Sequence, residues 1–83
     1  MAVVDAYETV RLQGRFDGAE AGTALEVQAR RGDGWRAFPL PTMVNEAGRF
    51  SAFAEMGRPG RYQLRVMDSE SGRTSNVVAV RVR

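Results

Sequence analysis

The chain has 83 residues, of which 43% are apolar and 27% charged, so it has room for one globular domain with one small core. It contains no Cys and no His, and all twelve basic residues are Arg. This composition excludes disulfides, thiolate or serine-triad catalysis, His-based metal sites and lysine chemistry. The formal net charge is only +2, which does not indicate nucleic-acid binding.

The N-terminal segment leaves two compartments open. "MAVVDAYETV" has acids where a signal peptide has a positive region followed by an apolar one, and no apolar run approaches the roughly 20 residues of a membrane span. We therefore expect no membrane insertion. The chain is expected to be a domain excised from an extracellular or cell-surface protein, or a cytoplasmic protein if Met1 is the native start.

Short alternating runs separated by glycine-bearing turns predict strands rather than helices. Residues 9–16 and 23–31 form the first two runs. A turn at 32–34 leads to a third strand from Trp35 to about Phe38, which the prolines at 39 and 41 are expected to close. Trp35 and Phe38 are three residues apart, so either one ring lies outside the core or a bulge intervenes.

The second half of the chain continues the same pattern. A turn at 45–48 precedes a strand with Phe50, Ala52 and Ala54 on one face and Phe53 on the other. After the turn "RPG" comes a strand with three alternating apolar residues, Tyr62, Leu64 and Val66; a polar loop then leads to the last strand, with Val78, Val80 and Val82. We predict an all-β, two-sheet antiparallel sandwich of six or seven strands, with 1–8 as a lead segment and 9–83 as the single domain.

The run "GRYQLRVMDSESGRTSNVVAVRV", residues 60–82, resembles the end of a fibronectin type III or bacterial immunoglobulin-like domain. A Tyr opens its penultimate strand, and alternating valines finish it. Upstream, "GDGWRAFPL", "NEAGRFSAF" and "RPGRYQLRV" are similar to the bacterial pattern, although the early strands lack the Trp that fibronectin type III domains carry on their second strand. The resemblance implies a spacer, stalk or binding module of a cell-surface or secreted bacterial protein.

The stretch "RRGDGW" contains Arg31-Gly32-Asp33, the tripeptide that integrin ligands present on a loop. The favoured interpretation is a hairpin turn between antiparallel strands, because Gly and Asp tolerate positive φ. The alternative is contact with a protein partner.

Trp35 is the one tryptophan of the sequence, directly after this turn. We favour packing between the sheets, as in related sandwiches. The alternative is a platform on which a sugar ring stacks, with Arg36 or Asp33 supplying hydrogen bonds.

Two further groups of charged residues are candidate sites. Four arginines, Arg61, Arg65, Arg81 and Arg83, form a positive stripe if the last two strands pair, and the favoured interpretation is a solvated face paired with acids such as Glu26 or Glu55. The loop "MDSESG" offers too few carboxylates for Ca²⁺. We predict no metal or cofactor, and no enzyme activity, because a sandwich of this size offers no deep cleft.

The sequence therefore predicts a non-catalytic immunoglobulin-like spacer module that is joined to other domains of a longer chain. The alternative is a binding module, either for polysaccharide through Trp35 or for a protein through the Arg31-Gly32-Asp33 turn or a sheet edge. Self-association through an edge is a further possibility, with the terminal run 76–83 as the candidate edge strand.

Overall fold

The computed structural model describes residues 2–16, 18–32 and 34–83. This part of the chain contains seven strands, which form two sheets. The strands are β1 (Ala2–Val4), β2 (Val10–Arg15), β3 (Ala24–Arg30), β4 (Arg36–Met43), β5 (Arg49–Ala54), β6 (Gly60–Met67) and β7 (Val78–Val82). The larger sheet has the order β1-β7-β6-β3-β4, and β2 pairs with β5 in the smaller one. The predicted all-β, two-sheet sandwich of six or seven strands is confirmed.

The core lies between the two sheets, and alternate residues of each strand supply it. In β5, Phe50, Ala52 and Ala54 are buried, whereas Phe53 is 58% exposed, as the alternation predicts. The other strands bury Val4 from β1, Val10 and Leu12 from β2, Leu25 and Val27 from β3, Tyr62, Leu64 and Val66 from β6, and Val80 and Val82 from β7.

Tyr62 fixes the turn between β5 and β6. Its hydroxyl donates a hydrogen bond to the carbonyl oxygen of Arg58, four residues earlier, at 2.8 Å. This is the tyrosine corner of immunoglobulin-like sandwiches, in which a Tyr near the start of the penultimate strand bonds back to the preceding turn. Gly60 lies inside the corner with φ of 144°, and a Cβ there would come within 2.8 Å of Nε of Arg31, so the position favours glycine.

Strand β4 does not end at the prolines. It runs from Arg36 to Met43, so the prediction that Pro39 and Pro41 would close the strand near Phe38 is wrong. The strand occupies an edge of the larger sheet, where one hydrogen-bonding side is free of the ladder and a residue without an N–H is tolerated. Its register with β3 shifts between Glu26 and Gln28, which marks a bulge.

Both alternatives for the two aromatic rings occur together. Phe38 is partly buried and packs against the core, whereas Trp35 lies outside the core. A bulge in β4 also occurs, further along the strand from Trp35. The preference for Trp35 between the sheets is therefore wrong.

The last strand is an inner strand, because β1 pairs with it in parallel on one side and β6 in antiparallel fashion on the other. The lead segment 1–8 thus contributes β1 to the sheet, and the backbone N–H of Arg83 donates to the carbonyl of Val4 at 2.9 Å. The terminal run 76–83, the candidate edge strand for self-association, is consequently not an exposed edge.

The strand directions place the connections at two ends of the sandwich. We call "the hairpin end" the one formed by the described residues of the connections 5–9, 31–32, 34–35 and 55–59, because it contains the β3–β4 hairpin. The opposite end is formed by residues 16, 18–23, 44–48 and 68–77. The part of the chain that the structure describes holds no helix with the length and apolarity needed to cross a membrane.

Candidate binding surface

Charge is divided unequally between strands and loops. Eight of the twelve arginines lie in the described strands, whereas Glu26 is the one acid found in them. The other seven acids in the described part of the chain lie outside the strands. The sheet faces are therefore cationic, although the net charge is only +2. Acids and arginines are mixed along the sequence, but they are separated on the folded surface.

A polar network covers the outer face of the larger sheet, on the side away from the core. Nε of Arg65 donates to Oε1 of Gln28 at 2.7 Å, and Nε2 of Gln28 donates to Oε2 of Glu26 at 2.8 Å. Arg30 donates to Oε1 of Gln63, with 2.7 Å from Nε. Because β3 pairs with both β4 and β6, these side chains lie side by side across strands.

Trp35 packs on this network. The guanidinium carbon of Arg65 lies 3.9 Å from the centroid of its ring, and that of Arg30 lies 5.0 Å away. Both distances are within the range of cation–π attraction. A sugar ring stacked on this face of Trp35 would have to displace Arg65, and the sugar platform stays an alternative prediction for this residue.

The predicted arginine stripe is partly assembled. Arg61 and Arg81 are directly opposite each other on β6 and β7. Neither makes an ion pair with a described carboxylate, whereas Arg83 pairs with Asp5 at 3.0 Å. Two like charges in opposite positions destabilise a sheet slightly, which makes this pair an unusual choice for a purely structural face.

The acids proposed as partners for the stripe are engaged elsewhere. Glu26 accepts from Gln28, and Glu55 accepts from the hydroxyl of Thr9 at 3.3 Å. In the acidic loop, Asp68 accepts from the N–H of Glu70 and the hydroxyl of Ser71, both at 3.0 Å. Among the described residues, no group of three or more acidic side chains converges as a metal site would require.

Arg31 and Gly32 lie in the connection between the antiparallel strands β3 and β4, where the sequence predicts a hairpin turn. Gly32 and Gly34 have φ of 79° and 77°, values that favour glycine, and Arg31 is exposed. Asp33 lies outside the described residues.

A concavity of about 470 Å³ opens at the hairpin end, beside this turn. Three exposed arginines line it: Arg31 from the turn, Arg36 from the start of β4 and Arg58 from the tyrosine corner. The rest of the lining is Ala29, Gly34, Ala37, Phe38 and Tyr62. None of these described lining residues is acidic.

Sequence reasoning singled out Arg31 and Arg36 but missed Arg58. Arg58 precedes β6, and only the pairing of β6 with β3 brings it to the turn, from 27 positions further along the chain. The signal was indirect: a Tyr two residues after the Arg-Pro-Gly turn, and so four residues after Arg58, indicates a tyrosine corner that holds Arg58 at the end of the sandwich.

No family model matches the chain, and a search of curated proteins found no match. Among solved structures, the chain is similar to "NK cell receptor Nkp44, a triggering partner in natural cytotoxicity". The TM-score is 0.53 at 11% identity, over 99% of this chain and 97% of that one. At this identity the likeness concerns the fold alone. Together with the tyrosine corner and the order β7-β6-β3-β4 opposite β2 and β5, it shows that the chain has an immunoglobulin-like fold.

Proposed function

We propose that the chain is a non-catalytic spacer module of a multidomain bacterial protein at the cell surface or in the secreted fraction. The observation that carries this proposal is the parallel pairing of the first and last strands, Ala2 with Val80 and Val4 with Val82. Because these strands run in the same direction, the chain enters toward one end of the sandwich and leaves at the other. Neighbouring domains are then held apart along its long axis, which measures 37 Å.

Composition supports a bacterial origin. Twelve arginines without one lysine are typical of a GC-rich genome, and the Gly-Arg-Phe and tyrosine-corner segments are similar to bacterial immunoglobulin-like or fibronectin type III-like domains. Export follows from that resemblance. The neighbouring domains of the longer chain are the partners that this proposal requires; nucleic acid and the membrane interior are not among them.

Small-angle scattering on one, two and three fused copies tests the spacer proposal. A four-residue joint links residue 83 of one copy to residue 2 of the next, and the matched control has a joint of about 20 Gly and Ser residues. We expect the maximum dimension to grow by roughly the 37 Å axis with each copy of the short-joint series. Compact particles whose length does not grow with copy number would contradict the proposal.

A second candidate function is supported by a separate observation. Arg31, Arg36 and Arg58 surround one concavity and make no hydrogen bond, ion pair or ring contact with described residues through their guanidinium groups. Unused donors on a concave surface favour a binding module, for polysaccharide or for a protein partner at the Arg31-Gly32-Asp33 turn.

A further inference from the structure

We propose that the concavity at the hairpin end binds a carboxylate-bearing sugar residue of an acidic polysaccharide. The proposal goes beyond the spacer function, since a domain that separates others can also contact an anionic polymer. It places the carbohydrate site on Arg31, Arg36 and Arg58 rather than on Trp35.

The charge of the site has no internal compensation in the described part of the chain. At the hairpin end, Asp5 pairs with Arg83 and accepts no hydrogen bond from Arg31, Arg36 or Arg58. Glu8 accepts from the N–H of Asp5 at 3.1 Å, and Glu55 accepts from Thr9. The described acids of this end are thus used elsewhere, and the three guanidinium groups offer their donors to solvent.

The arrangement of the arginines favours a compact anion over a linear one. Two of them lie at the ends of the β3–β4 connection and the third lies in the β5–β6 connection, and all three line one concavity, whereas a nucleic-acid strand is bound along a groove with interleaved aromatic side chains. Each guanidinium presents a planar fork of donors that matches a carboxylate. A carboxylate on a small ring is the ligand chemistry that this geometry fits.

The remaining lining supplies the surface for a sugar ring. Phe38 is partly buried and Tyr62 is held by its hydrogen bond to Arg58, so both give a fixed apolar wall beneath the arginines. A volume of about 470 Å³ lies in the range of small-ligand sites and exceeds what a single inorganic ion fills. Gly60 lets the side chain of Arg31 lie close against the backbone at the rim.

Titration calorimetry with a trimer of galacturonic acid tests the proposal, with the neutral galactose trimer as the matched ligand. We expect the acidic trimer alone to bind. Arg36→Gln and Arg58→Gln should each weaken it by about tenfold or more, because each removes a charge-assisted hydrogen-bonding group. Arg58→Lys should lose part of the affinity, since it keeps the charge but not the fork.

The control variant is Arg49→Gln, which removes one exposed charge at the opposite end. It should change the affinity by less than about threefold, because Arg49 does not line the concavity and charges farther apart than the Debye length, about 8 Å at 0.15 M salt, are largely screened. An equal loss in this variant, equal binding of the neutral trimer, or no binding of the acidic trimer at millimolar concentration would overturn the proposal. So would tighter binding of polyglutamate or oligothymidine. The scattering experiment does not involve ligand, so the two proposals fail separately.

Discussion

Tyr62 connects the β5–β6 turn to the core through one hydrogen bond. Its ring is 9% exposed and its hydroxyl donates to the carbonyl of Arg58. Tyr62→Phe keeps the ring but leaves that carbonyl without its partner, so we expect the free energy of unfolding in urea to fall by about 1 kcal/mol. The control is Tyr7→Phe, because Tyr7 is 71% exposed, and its effect should stay within about 0.5 kcal/mol. Equal effects would mean that the corner adds nothing to stability.

Trp35 is a fluorescent probe of the arginines around it. The ring is half-buried with two guanidinium groups within 5.0 Å of its centroid, so negative quenchers are attracted and positive ones repelled. At low salt, we expect iodide to quench the Trp35 emission at least about twice as strongly as caesium does. The difference between the two ions should fall in 0.5 M NaCl. Arg65→Gln should reduce the iodide effect. Similar quenching by both ions would show that the guanidinium groups do not surround the indole.

The contrast between Phe53 and Trp35 shows which residue environments the sequence predicts. Phe53 lies inside a regular strand, where alternation alone determines the face, and the structure confirms its exposure. Trp35 follows a turn and precedes a bulge, so the alternation of β3 does not extend to it. Its environment depends on Arg65, thirty positions later, and no local pattern predicts that contact.

At the scale of elements, strand existence was predicted and strand position within a sheet was not. The alternating residues of β2, β3, β5, β6 and β7 were sufficient to identify these strands. β4 was cut short at its prolines, because a proline indicates a strand end unless the strand lies at an edge, and edge position is a property of the whole sheet. β1 is too short to show alternation, and only its pairing with β7 identifies it.

β1 covers the side of β7 that would otherwise be an open edge. Deleting residues 2–4 removes the buried side chain of Val4 and the backbone pairing with β7, so we expect a loss of about 2 kcal/mol in the free energy of unfolding. The uncovered strand should also pair with a second copy, which light scattering would detect as a mass that rises with concentration.

Asp5→Asn is the matched control for this deletion. It removes the exposed ion pair with Arg83 while leaving β1 in place, and its cost should stay below about 1 kcal/mol with no change in mass. A deletion variant that remains monomeric and as stable as this control would show that β1 does not protect the edge.

At the scale of the whole molecule, the fold sorts charges that the sequence mixes. The net charge of +2 does not indicate nucleic-acid binding, but eight arginines lie in the described strands, whereas Glu26 is the one acid found in them. Convergence of Arg31, Arg36 and Arg58 requires two connections, β3–β4 and β5–β6, to meet at one end of the sandwich, which depends on strand order. The candidate site is therefore predictable from the sequence only as far as Arg31 and Arg36, at the two ends of the β3–β4 connection.

The two sheets share one core and should unfold together. Leu12 in the smaller sheet and Leu64 in the larger one are 3% and 0% exposed, and each change to Ala should cost about 3 kcal/mol. In a domain of this size, that loss lowers Tm by roughly 12–24 °C. Because Trp35 lies on the larger sheet, its fluorescence should report the same lowered transition for Leu12→Ala as far-UV circular dichroism does.

Phe53→Ala controls for the loss of a large apolar side chain, since Phe53 is 58% exposed, and it should cost less than about 1 kcal/mol. A Leu12→Ala protein whose Trp35 transition stays at the original temperature would show that the sheets unfold independently. The spacer proposal would then lose its physical basis, because load passed along the sandwich needs both sheets to respond as one unit. Coincident transitions in both leucine variants would mean instead that 83 residues without a disulfide form a single cooperative unit through this shared core.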